Sequence, residues 1–136
     1  MKEAGYDVAA GGRRDGDVVV LVVEDDPLVR EAVAMLIESD GYRVIASCDG
    51  DECLDRLPPR EKRVVLVTDV ILPGRSGRAL ADEVRRRRPR APVVFATGLP
   101  DAAYSLEPLG VNETVLLKPF GVREIAHAVG RAALAA

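Results

Sequence analysis

A regular alternation between short β-branched runs and stretches of helical spacing constrains this chain more than any other feature. Val18–Val23 (VVVLVV) is apolar at every position, the mark of a strand buried on both faces. Asp26-Pro27 follows, a pair suited to an N-cap and first helical position. Val29, Val33, Leu36 and Ile37 then recur at helical spacing until Gly41 stops the helix. The pattern repeats four more times. Arg43–Ser47 reads as a strand, and residues 50–57 as a short helix ending at Pro58-Pro59. Val64–Thr68 is the third strand. Ser76 can cap a helix that carries Leu80 and Val84 and stops near Pro89. Val93–Ala96 is the fourth strand, followed by a weak helix over 101–108 that Pro108 and Gly110 close. Thr114–Leu117 is the fifth strand. A last helix runs from Val122 to Leu134 with Val122, Ile125 and Val129 on one face. Repeated βα units predict an α/β fold, a parallel sheet with helices on both sides.

Composition narrows the function. The chain has 136 residues, enough for one domain with a real core. Lys and Arg number 19 against 22 Asp and Glu, a net charge of −3, which argues against a dedicated nucleic-acid binder. No apolar run approaches the ~20 residues of a membrane span, so no membrane partner is expected and a cytoplasmic location is. Residues 1–16 mix Gly, Ala and charges without periodicity and read as a flexible N-terminal tail, leaving 17–136 as the folded unit. Cys48 and Cys53 fit no zinc spacing and read as ordinary reduced thiols.

In a parallel sheet of this kind, ligands sit beyond the carboxyl ends of the strands. Glu24, Asp25 and Asp26 follow the first strand, Asp69 the third, Thr97 the fourth and Lys118-Pro119-Phe120 the fifth. Acidic groups brought together repel unless a cation sits among them. Hard oxygen donors without His or Cys suit Mg²⁺, and Mn²⁺ could substitute. Lys118 can hold an anionic oxygen and the Thr97 hydroxyl can donate to another. Such a group is suited to carrying a phosphoryl group on a carboxylate beside a metal.

The strings VVLVVEDDPLVR, LVTDVILPGRSG, VVFATG and VLLKPF, in this order over about residues 17–134, resemble the response-regulator receiver domain of two-component signalling. The resemblance implies a (βα)5 doubly wound, flavodoxin-like five-stranded parallel sheet in the order 2-1-3-4-5. It implies that Asp69 accepts the phosphoryl group and that Asp25, with Glu24, Asp69 and the backbone carbonyl of Ile71, holds Mg²⁺. Thr97 matches the switch hydroxyl and Lys118 the lysine that contacts the phosphoryl group, with a cis peptide bond before Pro119. The implied partners are a histidine kinase or histidine phosphotransfer protein and a downstream protein. A homodimer through the fourth and fifth helices is a further option. The domain is then a phosphoryl acceptor in a phosphorelay, not an enzyme beyond its own phosphorylation and dephosphorylation. Its style is that of stand-alone or hybrid-kinase receivers.

Two other classes fit less well. A pseudo-receiver would use the same fold as a phosphorylation-independent interaction module, but it has no need of the retained Glu24, Asp25, Asp69, Thr97 and Lys118. A phosphatase working through an aspartyl phosphate would want a second Asp two after the nucleophile, where Ile71 stands. Five features depart from the pattern or invite other readings. Val115 occupies the position, three before Lys118, where the family often carries an aromatic switch. Asp26 reads as the N-cap and not as a metal ligand. Arg85–Arg88 with Arg90 (RRRRPR) reads as a solvated helix end, where cations are favoured, with a partner patch as the lesser alternative. His127 reads as a surface residue of the last helix, and Gly74 and Gly77 as shaping the turn after Asp69.

Overall fold

The computed structural model describes residues 16–136, so the tail expected over 1–16 lies, but for Gly16, outside the described residues. Ten elements alternate along the chain: β1 (Val18–Val23), α1 (Pro27–Ser39), β2 (Arg43–Ser47), α2 (Gly50–Asp55), β3 (Arg63–Asp69), α3 (Gly77–Arg87), β4 (Val93–Thr97), α4 (Pro100–Tyr104), β5 (Glu113–Leu117) and α5 (Val122–Ala135). The strands form one parallel sheet in the order β2-β1-β3-β4-β5. Five parallel strands in the order 2-1-3-4-5 are the flavodoxin-like arrangement that the sequence implied.

Each β1 side chain is buried because the sheet divides the core in two. Val19, Leu21 and Val23 pack with Leu66, Phe95, Leu80 and Val84 on the α2–α3–α4 side. Val18, Val20 and Val22 pack with Val33, Ile37, Ile125 and Val129 on the α1–α5 side. Burying one such aliphatic side chain contributes about 1.5–3 kcal/mol, so the β1 run alone anchors both layers. Local signals set the helix starts as expected. Asp26 caps α1 by accepting from the Leu28 and Val29 amides, and Ser76 caps α3 by accepting from the Ala79 amide. Gly41 takes φ +94° just past the end of α1, a conformation that a side chain would resist.

Two expectations need correction. The weak helix expected over 101–108 is a single turn over Pro100–Tyr104, and it buries no residue. Pro108 ends nothing helical; the Glu107-Pro108 peptide is cis and lies in the loop beyond. Val122 opens α5 but is 62% exposed, so the buried face of that helix begins at Ile125. No helix among the described residues is long and apolar enough to cross a membrane.

Candidate functional site

Strand register sets the site. Val23 pairs with Thr68, so the next residues, Glu24 and Asp69, leave adjacent strands at the same height. Asp69 pairs with Ala96, and Thr97 with Leu117. Thr97 therefore stands one rung beyond Asp69, and Lys118 one rung beyond Thr97. At this edge the strand ends provide an acidic cluster. Carboxylate oxygens of Glu24, Asp25 and Asp69 lie within 4.8 Å of one another. Asp26 is absent from the cluster and spends its carboxylate on the α1 cap.

Lys118 reaches into this cluster. Its Nζ lies 2.6 Å from Glu24 Oε1 and 3.1 Å from Asp69 Oδ1. Glu24 is the buried member, at 6% exposure. Burial works to raise its carboxyl pKa, but the Lys118 hydrogen bond and the Asp26 amide, which donates to Oε2 at 3.1 Å, hold it below the ordinary value. Asp69 shows the opposite balance. Burial and the neighbouring Glu24 charge outweigh the Lys118 hydrogen bond and push its carboxyl up to about 6. Burial also opposes the Lys118 charge, yet its hydrogen bonds to Glu24 and Asp69 prevail and raise its pKa. The outcome is a half-buried acid beside two others, with one cation in contact.

Thr97 is buried at the end of β4, and its Oγ1 accepts from the Leu99 amide at 3.1 Å. Its carbonyl accepts from the Lys118 amide at 2.8 Å, which ties the two strand ends together. The Lys118-Pro119 peptide is cis. Ile71 and Leu99, each two residues beyond Asp69 and Thr97, are 57% and 55% exposed. The loop after Asp69 folds back tightly: the Gly77 amide donates to the Val70 carbonyl at 2.8 Å. A Cβ on Gly77 would stand 2.1 Å from the Asp69 carbonyl oxygen. Gly74 sits at φ +83° in the same turn. Both glycines thus shape the turn after Asp69, as expected.

A second polar cluster went unanticipated. The Glu113 side chain, 2% exposed at the start of β5, takes two hydrogen bonds from Arg78 at 2.8 and 2.9 Å and one from Arg85 at 2.7 Å. The Gly110 amide adds a fourth at 2.7 Å. The hydrogen bonds from Arg78 lead in holding the Glu113 carboxyl down to about 2 against the opposing effect of burial. Arg78 also stacks over the Phe95 ring, 4.8 Å from its centroid. Arg85 bonds the carbonyls of Ala91 and Val111 as well. This corrects the reading of Arg85–Arg88 as a solvated end. Arg85 clamps α3 to β5 and Arg88 bonds the Pro58 carbonyl, while Arg86 and Arg87 pair with Glu83 on the surface. Spacing on α3 hid this, because the partner carboxylate comes from 28 residues downstream.

The remaining residues behave plainly. His127 is exposed on α5. Both cysteines are free; Cys48 is exposed, and burial pushes the Cys53 thiol up to about 12.

The comparisons agree with this geometry. The response regulator receiver domain profile matches residues 20–130, and the chain belongs to that family. It is 30% identical over 106 residues to the uncharacterized transcriptional regulatory protein YbdJ of Bacillus subtilis, covering 78% of this chain and 46% of that one. It is 30% identical over 116 residues to the sensor kinase CckA of Brucella abortus, covering 84% of this chain and 12% of the kinase. The crystal structure of the NtrX receiver domain from Brucella abortus superposes with a TM-score of 0.74 at 28% identity, covering 86% of this chain and 99% of that one. The chain thus spans less than half the length of the curated relatives named here.

Proposed function

We propose that this receiver domain takes a phosphoryl group from a phosphohistidine onto Asp69 and signals through a conformational change at a protein-interaction surface. The observation that carries the reading is the Lys118 ammonium, 3.1 Å from Asp69, beside three converging carboxylates. An Asp69 oxygen attacks phosphorus in line. The P–N bond to the donor imidazole breaks, and its electron pair stays on that nitrogen, which takes up a proton. Lys118 sits where it can turn from Glu24 and Asp69 to a phosphoryl oxygen. Thr97 can exchange the Leu99 amide for another.

The donor set fits Mg²⁺, with Mn²⁺ as a substitute: Glu24, Asp25 and Asp69 offer hard oxygens within reach of one ion, and the Ile71 carbonyl follows in the same loop. When bound, the ion neutralises charge on the transferring oxygens. We assign the donor to a histidine kinase or histidine phosphotransfer protein in the cytoplasm, and the output to a downstream protein. The chain's chemistry in this reading is confined to its own phosphorylation and dephosphorylation. A homodimer on the α4–α5 face would rest on exposed Tyr104, Leu117 and Val122, because α4 is a single turn.

Acetyl phosphate with Mg²⁺ should add the mass of one phosphoryl group, and Asp69→Asn should abolish the gain. Asp25→Ala should abolish it while the far-ultraviolet circular dichroism stays unchanged. Absence of any mass gain in the wild-type protein would instead favour a phosphorylation-independent interaction module.

A further inference from the structure

At the opposite edge of the sheet from Asp69, below the amino ends of β3 and β4, lies a pocket of about 370 Å³. Five of its lining residues are cationic: Arg60, Lys62, Arg63, Arg88 and Arg90. None of its lining side chains is acidic. In a chain of net charge −3, such a concentration of positive charge against a concave surface requires a reason. Several of these groups already have partners. Arg63 Nη1 donates to the main-chain oxygen of Ala136 at 3.0 Å, and Lys62 Nζ to the Gly16 carbonyl at 3.4 Å. Arg88 bonds the Pro58 carbonyl through Nη2, but its Nε is buried and has no hydrogen-bond partner. A buried donor left unmade is costly, so the protein alone does not fully satisfy the Arg88 head group.

We propose that this pocket binds a small soluble polyphosphate of the di- or triphosphate class. Its volume lies in the ordinary range for small-molecule sites, roughly 300–1,000 Å³. Arginine suits the ligand because its planar fork matches phosphate oxygens two at a time. The arginine run does not form a continuous basic stripe that would track a nucleic-acid backbone. Arg85 turns inward to Glu113 and Arg86 and Arg87 pair with Glu83, which leaves Arg88 and Arg90 to converge on the pocket with Arg60 and the pair from the start of β3. A compact ligand of several charges matches convergent cations better than an extended one.

The test is calorimetric titration of the whole chain with inorganic tripolyphosphate at low salt, in EDTA so that no divalent ion bridges ligand and the Asp69 cluster. Saturable one-to-one binding is expected, weaker for orthophosphate. Arg60→Gln and Arg90→Gln, both at exposed positions, should each weaken it about tenfold, the loss of a charge-assisted hydrogen bond. Arg88→Gln, checked for folding by circular dichroism, should do at least as much. Arg86→Gln and Asp69→Asn should leave it unchanged. No saturable binding, or equal weakening by Arg86→Gln, overturns the proposal. So does tighter binding of duplex DNA or of anionic phospholipid vesicles than of tripolyphosphate, which would make the patch a macromolecular surface.

Discussion

Lys118 Nζ and Glu24 Oε1 meet at 2.6 Å across 94 positions of sequence, a shorter contact than the lysine makes to Asp69. The lysine therefore serves first as the counter-ion of the most buried carboxylate of the cluster. Removing it leaves Glu24 and Asp69 facing each other without the cation that contacts both carboxylates. Lys118→Met should destabilise the Mg²⁺-free protein by about 1–2 kcal/mol at pH 7.5, and millimolar Mg²⁺ should return part of that loss. Thermal melts with and without the ion check both halves.

Asp69 yields a prediction of opposite sign. Its carboxyl is raised from 3.8 to about 6, so the folded state holds this proton more tightly than the unfolded chain does. The stabilisation from protonation is full below 3.8 and is lost as pH rises through about 6. At pH 7.5 the native state thus carries a half-buried charge at a cost. Asp69→Asn should stabilise the protein in EDTA by about 1–2 kcal/mol at that pH, and the gain should vanish near pH 4. Urea midpoints at the two pH values measure this; a gain independent of pH would refute it.

Glu113 depends on pH the other way. Its carboxyl is lowered from 4.5 to about 2, so its contribution is whole above 4.5 and is lost as pH falls toward 2. Glu113→Gln keeps the shape but leaves Arg78 and Arg85 without their anion. Both arginines are partly exposed and can recover water, which limits the loss to about 2 kcal/mol at neutral pH. The variant's deficit should shrink in acid, a trend that urea titrations at pH 7 and pH 3 would reveal.

Gly77 is a steric matter. A methyl group 2.1 Å from the Asp69 carbonyl oxygen forces the acceptor loop apart. Gly77→Ala should cost about 3 kcal/mol and slow phosphorylation of whatever folded protein remains. Normal stability in this variant would show that α3 can shift away at little cost.

The fold was legible because β1, β3 and β4 are apolar on both faces, and the helices after β1 and β3 are capped by Asp26 and Ser76. Strand ends then placed Glu24, Asp69, Thr97 and Lys118 on one edge without knowledge of any distance. Asp26 could be separated from Asp25 for a local reason, since a residue before Pro27 is in place to cap. The arginines could not be sorted that way. Arg85 and Arg86 look alike in sequence, and only the return of β5 with Glu113 distinguishes the buried one. The expected length of α4 exceeds the observed one because Ala102 and Ala103 suit a helix, yet the chain leaves the helix after Tyr104 and buries Leu106 from the loop beyond.

In the proposed reading the signal leaves Thr97 through the loop that leads into this short helix. Val115 is half-buried against the α2–α3–α4 core and offers no ring to swing when Thr97 moves. Thr97 Oγ1 instead holds the Leu99 amide, so any change at the hydroxyl passes first into the following loop. On phosphorylation, amide exchange should change most across residues 98–112 and stop at Glu113, where the arginine clamp is anchored. A change confined to α1 would exclude this route.

The lifetime of the proposed phosphorylated state should depend on Ile71 and Leu99, the positions that in receiver domains flank the approach to the acceptor. Hydrolysis needs a water in line with phosphorus, opposite the Asp69 oxygen. Ile71 and Leu99 stand two residues beyond Asp69 and Thr97, and neither can hydrogen-bond a water. Both are more than half exposed before phosphorylation, so both are free to close over a phosphoryl group. Orienting the attacking water is worth about tenfold in rate per 1.4 kcal/mol of barrier. Self-dephosphorylation should therefore be slow, which suits return of the phosphoryl group to a histidine or a partner found by diffusion. Ile71→Asn and Leu99→Glu should each hasten the decay by about tenfold, measured as loss of the phosphoryl mass after removal of acetyl phosphate. Decay in both variants as slow as in the parent would mean that Ile71 and Leu99 do not control access of water.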